Sequence, residues 1–340
     1  MKHFLARTLI LTVVLGAFFA LTPATAAAQY TLTNLVSNQT GKAKHVDPLL
    51  VNGWGLVYAP GGPFWLSDEG SGKSTLYDGA GVVQSLKVIV PPASGTGHGT
   101  PTGIVYNGSS EFQIRSWTSL FLFATLDGTI SGWSAFDPST ALIGATRAGA
   151  VYTGLAITSK ASGNFLFAAD AANNHVDIYD GSFNLVKSFT DATIPAGFAP
   201  FGIQDIGGKV YVSYASTSGG VGGYIDIFKE DGTFVKRFAH GKPLNQPWGM
   251  AVAPANFGVL SNALLISNNT LTGTINGFNL TTGKLMGPIK NAAGKAIVVN
   301  GAWGIEFGGG TSANGKTNQL FFAAGPNTDV NGMFGVIAPK

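Results

Sequence analysis

The chain has 340 residues, no cysteine and only 11% charged residues, and Lys and Arg outnumber Asp and Glu by 20 to 17. Without cysteine, disulfides, thiolate catalysis and Cys-ligated zinc are excluded. The near-balanced charge and the lack of a Lys/Arg cluster argue against nucleic-acid binding. The 48 glycines and 11% aromatic residues favour many short strands joined by tight turns.

The first element along the chain is a predicted signal peptide, residues 1–28. Lys2 and Arg7 precede a stretch of 13 predominantly apolar residues, and a run of alanines ending at Ala28 permits cleavage before Gln29. The apolar stretch is shorter than the roughly 20 residues that a membrane-spanning helix needs. We therefore expect an exported protein, periplasmic or extracellular, with no stable membrane insertion after cleavage.

The remaining chain, residues 29–340, contains a phrase that recurs six times: a bulky or Pro-flanked residue, then Gly, then alternating apolar residues. The six glycines are spaced 47 to 55 residues apart, and they are Gly55, Gly103, Gly154, Gly202, Gly249 and Gly304. This period is typical of propeller blades, each a four-stranded sheet. The sequence therefore predicts an all-β protein whose single domain is a six-bladed β-propeller with four-stranded antiparallel blades.

Further strands are predicted after each phrase, separated by turn pairs such as Asp78-Gly79 and Asp180-Gly181. The predicted second strands are Phe64–Ser67, Leu120–Thr125, Phe165–Ala169, Val210–Tyr214, Ala263–Ser267 and Leu320–Ala324. The predicted third strands are Ser74–Tyr77, Thr129–Phe136, His175–Tyr179, Tyr224–Phe228, Thr274–Phe278 and Met333–Ile337. Fourth strands are visible at Val82–Val90, Leu185–Thr190 and Phe234–Ala239, and are weak in blades two and five. The sixth blade lacks one, and we expect Tyr30–Val36 to supply it and close the ring.

The glycine of each phrase has a physical reason in this fold. Innermost strands converge on the propeller axis, where a side chain would collide with its neighbours, so Gly permits close backbone approach. The aromatic residue before it can fill the wedge between blades. Trp54, Trp248 and Trp303 are accordingly interpreted as architecture rather than as a platform for stacking a ligand.

Several longer motifs resemble those of a largely uncharacterised family of exported bacterial six-bladed β-propeller proteins, distantly similar to NHL-repeat propellers. They are Asn34-Leu35-Val36-Ser37, Leu76-Tyr77-Asp78-Gly79, Asp127-Gly128-Thr129-Ile130-Ser131-Gly132-Trp133, Pro195-Ala196-Gly197-Phe198-Ala199-Pro200-Phe201 and Pro247-Trp248-Gly249. The resemblance covers about Asn34 to Gly335 and implies fold and export, without catalytic residues to transfer. The chain departs from the family pattern at Glu69-Gly70 and at Asn268–Gly273, both in loops between second and third strands.

Candidate ligand-binding residues collect on one predicted face. The loops leading into the innermost strands and the loops joining second to third strands open on the same side of a propeller. These loops supply Asp68, Glu69, Asp170, Asn52, Asn245, Asn268 and Asn300. Their oxygens suit a hard cation such as calcium, or the hydroxyls of a sugar or lactone. The alternative is that Asp and Asn occur here as turn residues that bond their own backbone.

Four histidines of the mature chain, His45, His98, His175 and His240, are also predicted near that face. A His-based metal or proton-transfer site is a further candidate, although their spacing matches no ligand motif.

Two functions remain open from the sequence. The first is a binding or protein-interaction module, engaging a small molecule, a glycan or an envelope protein. The alternative is a calcium-dependent hydrolase of lactonase or esterase type with its site at the channel mouth. No cofactor other than possible calcium is evident, no nucleic-acid partner is expected, and we expect a monomer.

Overall fold

The computed structural model describes residues 29–160 and 163–340. The predicted signal peptide therefore lies outside the described residues. The described chain is almost entirely β-structure, with two short 3-10 turns at Glu69–Ser71 and Gly258–Leu260. No helix within these residues is long and apolar enough to cross a membrane.

The chain opens with β1 (Tyr30–Ser37) and the short β2 (His45–Val46). Blade one then consists of β3 (Gly53–Tyr58), β4 (Phe64–Asp68), β5 (Lys73–Tyr77) and β6 (Val83–Ile89). Blade two consists of β7 (Pro101–Tyr106), a two-stranded insertion of β8 (Gln113–Ile114) and β9 (Trp117–Thr118), then β10 (Phe121–Thr125), β11 (Thr129–Trp133) and β12 (Leu142–Thr146). Blade three consists of β13 (Tyr152–Lys160), β14 (Gly163–Asp170), β15 (His175–Tyr179) and β16 (Leu185–Phe189).

Blade four consists of β17 (Phe198–Asp205), β18 (Lys209–Ser216), β19 (Gly223–Lys229) and β20 (Phe234–His240). Blade five consists of β21 (Pro247–Val252), β22 (Ala263–Asn268), β23 (Ile275–Asn279) and β24 (Leu285–Pro288). Blade six begins with β25 (Ala302–Phe307), β26 (Leu320–Ala324) and β27 (Met333–Pro339). Neighbouring strands within each blade pair antiparallel, so the predicted six-bladed β-propeller is confirmed.

The fourth strand of blade six comes from the other end of the chain. β1 pairs antiparallel with β27, from Tyr30 opposite Pro339 to Ser37 opposite Met333. The sheet order β1-β27-β26-β25 places β1 on the outside of the blade, and β2 adds a short parallel pairing beyond it.

The six phrase glycines form a closed ring of contacts between successive blades. A Cβ on Gly55 would lie 2.6 Å from the carbonyl oxygen of Thr102, in the next blade. The same relation runs around the molecule and returns to blade one, where a Cβ on Gly304 would lie 2.6 Å from the carbonyl oxygen of Trp54. The approach at Gly202 is among the closest, since a Cβ there would lie 2.1 Å from the carbonyl oxygen of Trp248. The absence of a Cβ therefore sets how closely the innermost strands approach.

The residues before these glycines meet on the propeller axis. We call the end at which the innermost strands begin the top, and the end at which they finish the bottom. At the top, Trp54, Trp248 and Trp303 are buried against one another, with Leu126 and Phe201 packed around them. They contact across the axis rather than filling wedges between neighbouring blades, and the indole of Trp248 donates to the carbonyl of Thr153 on blade three. This aromatic cluster fills the channel at its top end.

Candidate functional site

Below the aromatic cluster the central channel widens into a cavity of about 340 Å³ at the bottom end. Its aliphatic walls come from β3, β7 and β13. Its polar groups come from four blades, and they are Tyr58, Tyr106, Gln204, Asp205 and Glu306. Convergent polar groups beside apolar walls are typical of a small-molecule site.

The sequence predicted a site at the top face and did not predict the channel cavity. The available signal was the residue two positions after each phrase glycine, and these are Val57, Val105, Ala156, Gln204, Ala251 and Glu306. Only two of the six are polar, and a polar residue in the middle of an otherwise apolar innermost strand faces the channel because the neighbouring blades occupy the other directions. Gln204 and Glu306 could therefore have been found from the repeat alignment.

Glu306 is an acid of this cavity with a strongly raised pKa. Its carboxyl group is withdrawn from bulk water, and burial raises its pKa from 4.5 to about 7, although a hydrogen bond of 3.0 Å from the Phe307 N–H to Oε1 favours the charged form. Burial, followed by the charge of Glu306, also raises the pKa of Tyr58 on the neighbouring blade. A carboxyl group that is half-protonated near neutral pH can donate or accept a proton, or present a negative charge to a ligand.

The top face brings two of the predicted candidates together with a third residue. The Asn52 amide nitrogen donates a hydrogen bond of 2.9 Å to Oε2 of Glu69. A Cβ on Gly325 would collide with Oδ1 of both Asn52 and Asp329, so these two oxygens lie close together above Gly325. Burial of the carboxylate, together with the charge of Glu69, raises the pKa of Asp329, whereas the indole of Trp303 lowers it. Asn52, Glu69 and Asp329 thus form an oxygen-rich group, which we call the top cluster.

The loop that carries Asp329 is held in an uncommon conformation. Asn327, Thr328 and Asp329 have φ values of 59°, 52° and 66°, in the left-handed region that non-glycine residues rarely adopt. The side chain of Asn300, another predicted candidate, accepts the Asn327 N–H at 3.2 Å. Asn300 therefore fixes the loop that places Asp329 beside Asn52.

Asp68 and Asp170 have local roles in their own blades. Both are fully buried at the ends of β4 and β14. Oδ2 of Asp68 accepts the Thr75 N–H at 3.0 Å, and burial raises the pKa of Asp68 well above its usual range. Oδ1 of Asp170 accepts three backbone N–H groups, including that of Asn173 at 3.2 Å. These bonds are the turn chemistry that was the alternative interpretation.

One group of three potential metal ligands lies within 4.8 Å in the part of the chain that the structure describes: Asp170, His175 and Asp177. Nε2 of His175 lies 3.1 Å from Asp177 and 3.4 Å from Asp170. Asp177 is also bound by the guanidinium of Arg147 from blade two and by the hydroxyl of Tyr152 at 2.7 Å. Because donors already occupy these carboxylates, the group acts as a polar clamp that joins blade two to blade three.

The other candidates lie apart from these groups. Oδ1 of Asn268 accepts the Asn245 N–H at 3.0 Å, so this pair shapes the top of blade five. His98 and His240 are exposed, and His45 is half-buried in β2. Among the described residues only His175 belongs to a group of possible metal ligands.

The chain belongs to the same family as the uncharacterized protein R648 of Acanthamoeba polyphaga mimivirus. It is 31% identical to protein R648 over 343 residues, which covers 93% of this chain and 82% of the relative. It is 29% identical to the uncharacterized protein L690 of the same virus over 337 residues, covering 92% and 87% of the two chains. No family model matches the chain. These relatives are viral, so the bacterial and exported character implied by the sequence motifs stays a prediction.

Solved structures with the same fold include two enzymes. A gluconolactonase from Xanthomonas campestris matches with a TM-score of 0.58 at 14% identity, covering 93% of this chain and 92% of the other. Virginiamycin B lyase from Staphylococcus aureus matches with a TM-score of 0.54 at 13% identity, covering 92% and 99%. At this level of identity the similarity establishes the propeller fold alone.

Proposed function

We propose that this propeller is a binding protein for a small molecule, which occupies the bottom cavity of the central channel and contacts Glu306. The observation that carries the proposal is a partly buried carboxyl group, with its pKa raised to about 7, inside the bottom cavity of about 340 Å³. Perturbed acids in concave sites occur preferentially where a ligand binds or reacts. At the top, the aromatic cluster fills the channel of the described chain.

The carboxylate, amide and phenol groups of the cavity make it selective. Glu306 and Asp205 supply carboxylate oxygens, and Gln204 offers both an amide donor and an acceptor. The hydroxyls of Tyr58 and Tyr106 stand on rigid rings that can pack against an apolar part of a ligand. The volume equals that of about ten liquid waters, which is enough for a small organic molecule.

The test is a ligand screen by thermal shift on the wild type and Glu306→Gln. Compounds that bind in the cavity are expected to stabilise the wild type and to lose that effect in the variant. Glu230→Gln is the matched control, because Glu230 lies in the turn between β19 and β20 and is not among the residues that line the cavity. Stabilising compounds whose effect is equal in all three proteins would place the binding site elsewhere.

A second candidate function is a calcium-dependent hydrolase of lactonase or esterase type at the top face. The top cluster favours it, since two carboxylates and an amide oxygen of Asn52, Glu69 and Asp329 converge there, and these are the ligands that calcium prefers. The gluconolactonase among the structural neighbours has the same fold. In this proposal calcium binds the top cluster, and Asp68 and Asp170 support the loops of their own blades.

Elemental analysis of the purified protein and thermal shift with added calcium test this second function. Calcium is expected to stabilise the wild type, and Asp329→Asn to remove the effect, whereas Asp78→Asn in an exposed turn should retain it. Hydrolysis of a lactone or aryl ester should then depend on calcium. Absence of calcium from the protein and no calcium-dependent stabilisation would eliminate the proposal.

A further inference from the structure

We propose that the ligand of the bottom cavity is a small organic cation, such as a primary ammonium compound. This inference rests on the proposed function and names the chemical class of its ligand. It follows from the charges, the aromatic groups and the space that the cavity provides.

The charges around the cavity have one sign. Asp205 and Glu306 are both acidic, and no Lys, Arg or His is among the lining side chains that the structure describes. Of the described ion pairs, none includes Glu306. The partly buried Glu306 carboxylate accepts the Phe307 N–H, and a cation placed beside it supplies the missing charge. An anionic ligand would instead be repelled by the charge of Glu306.

The aromatic groups reinforce the same preference. Tyr58 and Tyr106 stand on neighbouring blades at the rim of the cavity, and Tyr58 lies close enough to Glu306 to respond to its charge. A cation within about 6 Å of an aromatic ring is attracted by the ring's negative face. A carboxylate combined with two phenol rings is therefore suited to an ammonium group.

The cavity does not suit a bare metal ion. Calcium needs six to eight oxygen ligands and transition metals need converging His or carboxylate groups. The group of three His and Asp ligands within 4.8 Å of one another among the described residues is the clamp of Asp170, His175 and Asp177, none of which lines this cavity. The remaining walls are aliphatic, from Leu56, Ile104 and Ile157, so they are suited to the hydrocarbon part of an organic ligand.

Proton release should accompany binding. The polar groups that line the cavity with Glu306 are the phenol of Tyr58, whose raised pKa keeps it neutral, the phenol of Tyr106, and the side chains of Gln204 and Asp205. Burial raises the pKa of Glu306 to about 7, and a cation must displace the proton below that value. For one coupled proton, the affinity at pH 8 is about tenfold higher than at pH 6.

The experiment compares three probes of similar shape by isothermal titration: butylammonium, butanol and butyrate. We expect butylammonium to bind the wild type more than about tenfold tighter than the other two, with about tenfold weaker binding at pH 6 than at pH 8. Glu306→Gln should weaken its binding at least about tenfold and abolish the pH dependence, while the control Glu230→Gln should bind as the wild type does.

The outcomes separate this inference from the proposed function. Equal or tighter binding of butanol or butyrate, still sensitive to Glu306→Gln, would overturn the cationic ligand and leave the cavity as the binding site. Failure of all three probes and of every screened compound to respond to Glu306→Gln would overturn both. Should that variant not fold, the pH series on the wild type decides, because pH-independent binding of butylammonium contradicts the inference.

Discussion

The indole Nε1 of Trp303 donates a hydrogen bond of 3.0 Å to Oδ1 of Asn52, joining the last blade of the propeller to the loop that leads into the first. The ring of Trp303 also stacks on Trp54 with a centroid separation of 3.6 Å. The same Asn52 donates to Glu69, so the aromatic cluster that fills the channel and the polar top cluster are physically connected. Ring closure and the geometry of the top face therefore depend on shared residues.

Trp303→Phe should destabilise the protein by about 2 kcal/mol, because it keeps an aromatic ring but leaves the buried Oδ1 of Asn52 without its donor. Urea denaturation measures the change. The matched control is Trp117→Phe, since Trp117 is 44% exposed in the blade-two insertion and should change stability by less than about 0.5 kcal/mol. Equal effects of the two substitutions would show that the hydrogen bond contributes nothing specific.

Gly202→Ala should destabilise the fold by about 3 kcal/mol or more, because the new Cβ would lie 2.1 Å from the backbone oxygen of Trp248. The backbone of the adjacent blade would have to move. Gly108→Ala is the control, since its Cβ would lie 3.4 Å from Tyr106, an ordinary contact. A Gly202→Ala protein with an unchanged melting temperature would contradict the ring of close contacts.

Arg147→Gln should destabilise the protein by about 3 kcal/mol at pH 7, because it removes the charged partner of the fully buried Asp177. The loss should be smaller for Asp177→Asn combined with Arg147→Gln, which removes the buried charge as well. The exposed Arg115 gives the control substitution Arg115→Gln, expected to be within about 0.5 kcal/mol of the wild type. If Arg147→Gln left the stability unchanged, the clamp would not hold blades two and three together.

Glu306→Gln should stabilise the ligand-free protein at pH 8 but not at pH 4.5. The folded-state pKa of Glu306, about 7, is higher than its ordinary 4.5, so folding favours the protonated form. The stability that Glu306 contributes is therefore fully present below pH 4.5. It decreases as the pH rises through 7, by up to about 3 kcal/mol. The stability difference between variant and wild type, measured by urea denaturation from pH 4.5 to 8, should grow over this window. A constant difference would contradict the raised pKa.

The fold could be predicted because close packing at the axis requires glycine at regular intervals in the sequence. The phrase around Gly55 and its five equivalents recurs once per blade, and each glycine is required by the backbone of the next blade. Strands that lack such a constraint are harder to predict from the sequence. The outer strand β24 contains Gly287 and Pro288, which disguise it, and the hairpin of β8 and β9 turns on Arg115 and Ser116 with positive φ, where no glycine signals a turn.

The candidate site could be predicted only in part, for a different reason. Loop residues such as Asn52 and Glu69 are brought together at the top as expected, but their partner Asp329 depends on the left-handed backbone of its loop. Asp68 and Asp170 have the same residue types and equivalent positions, yet they bond their own turns. The repeat alignment can single out Glu306 as a polar residue, but its raised pKa depends on burial in a channel formed by distant blades, which sequence spacing does not report.

The most direct test of the account is the titration of Glu306 itself, followed by carboxyl ¹³C NMR. The chain contains only four glutamates, Glu69, Glu111, Glu230 and Glu306, so the signal lost in Glu306→Gln assigns the resonance. We expect a midpoint at about pH 7 in the free protein, which moves lower when butylammonium is added. A midpoint near 4.5 that butylammonium leaves unchanged would mean that Glu306 is solvated like a surface acid, and the channel site would be contradicted.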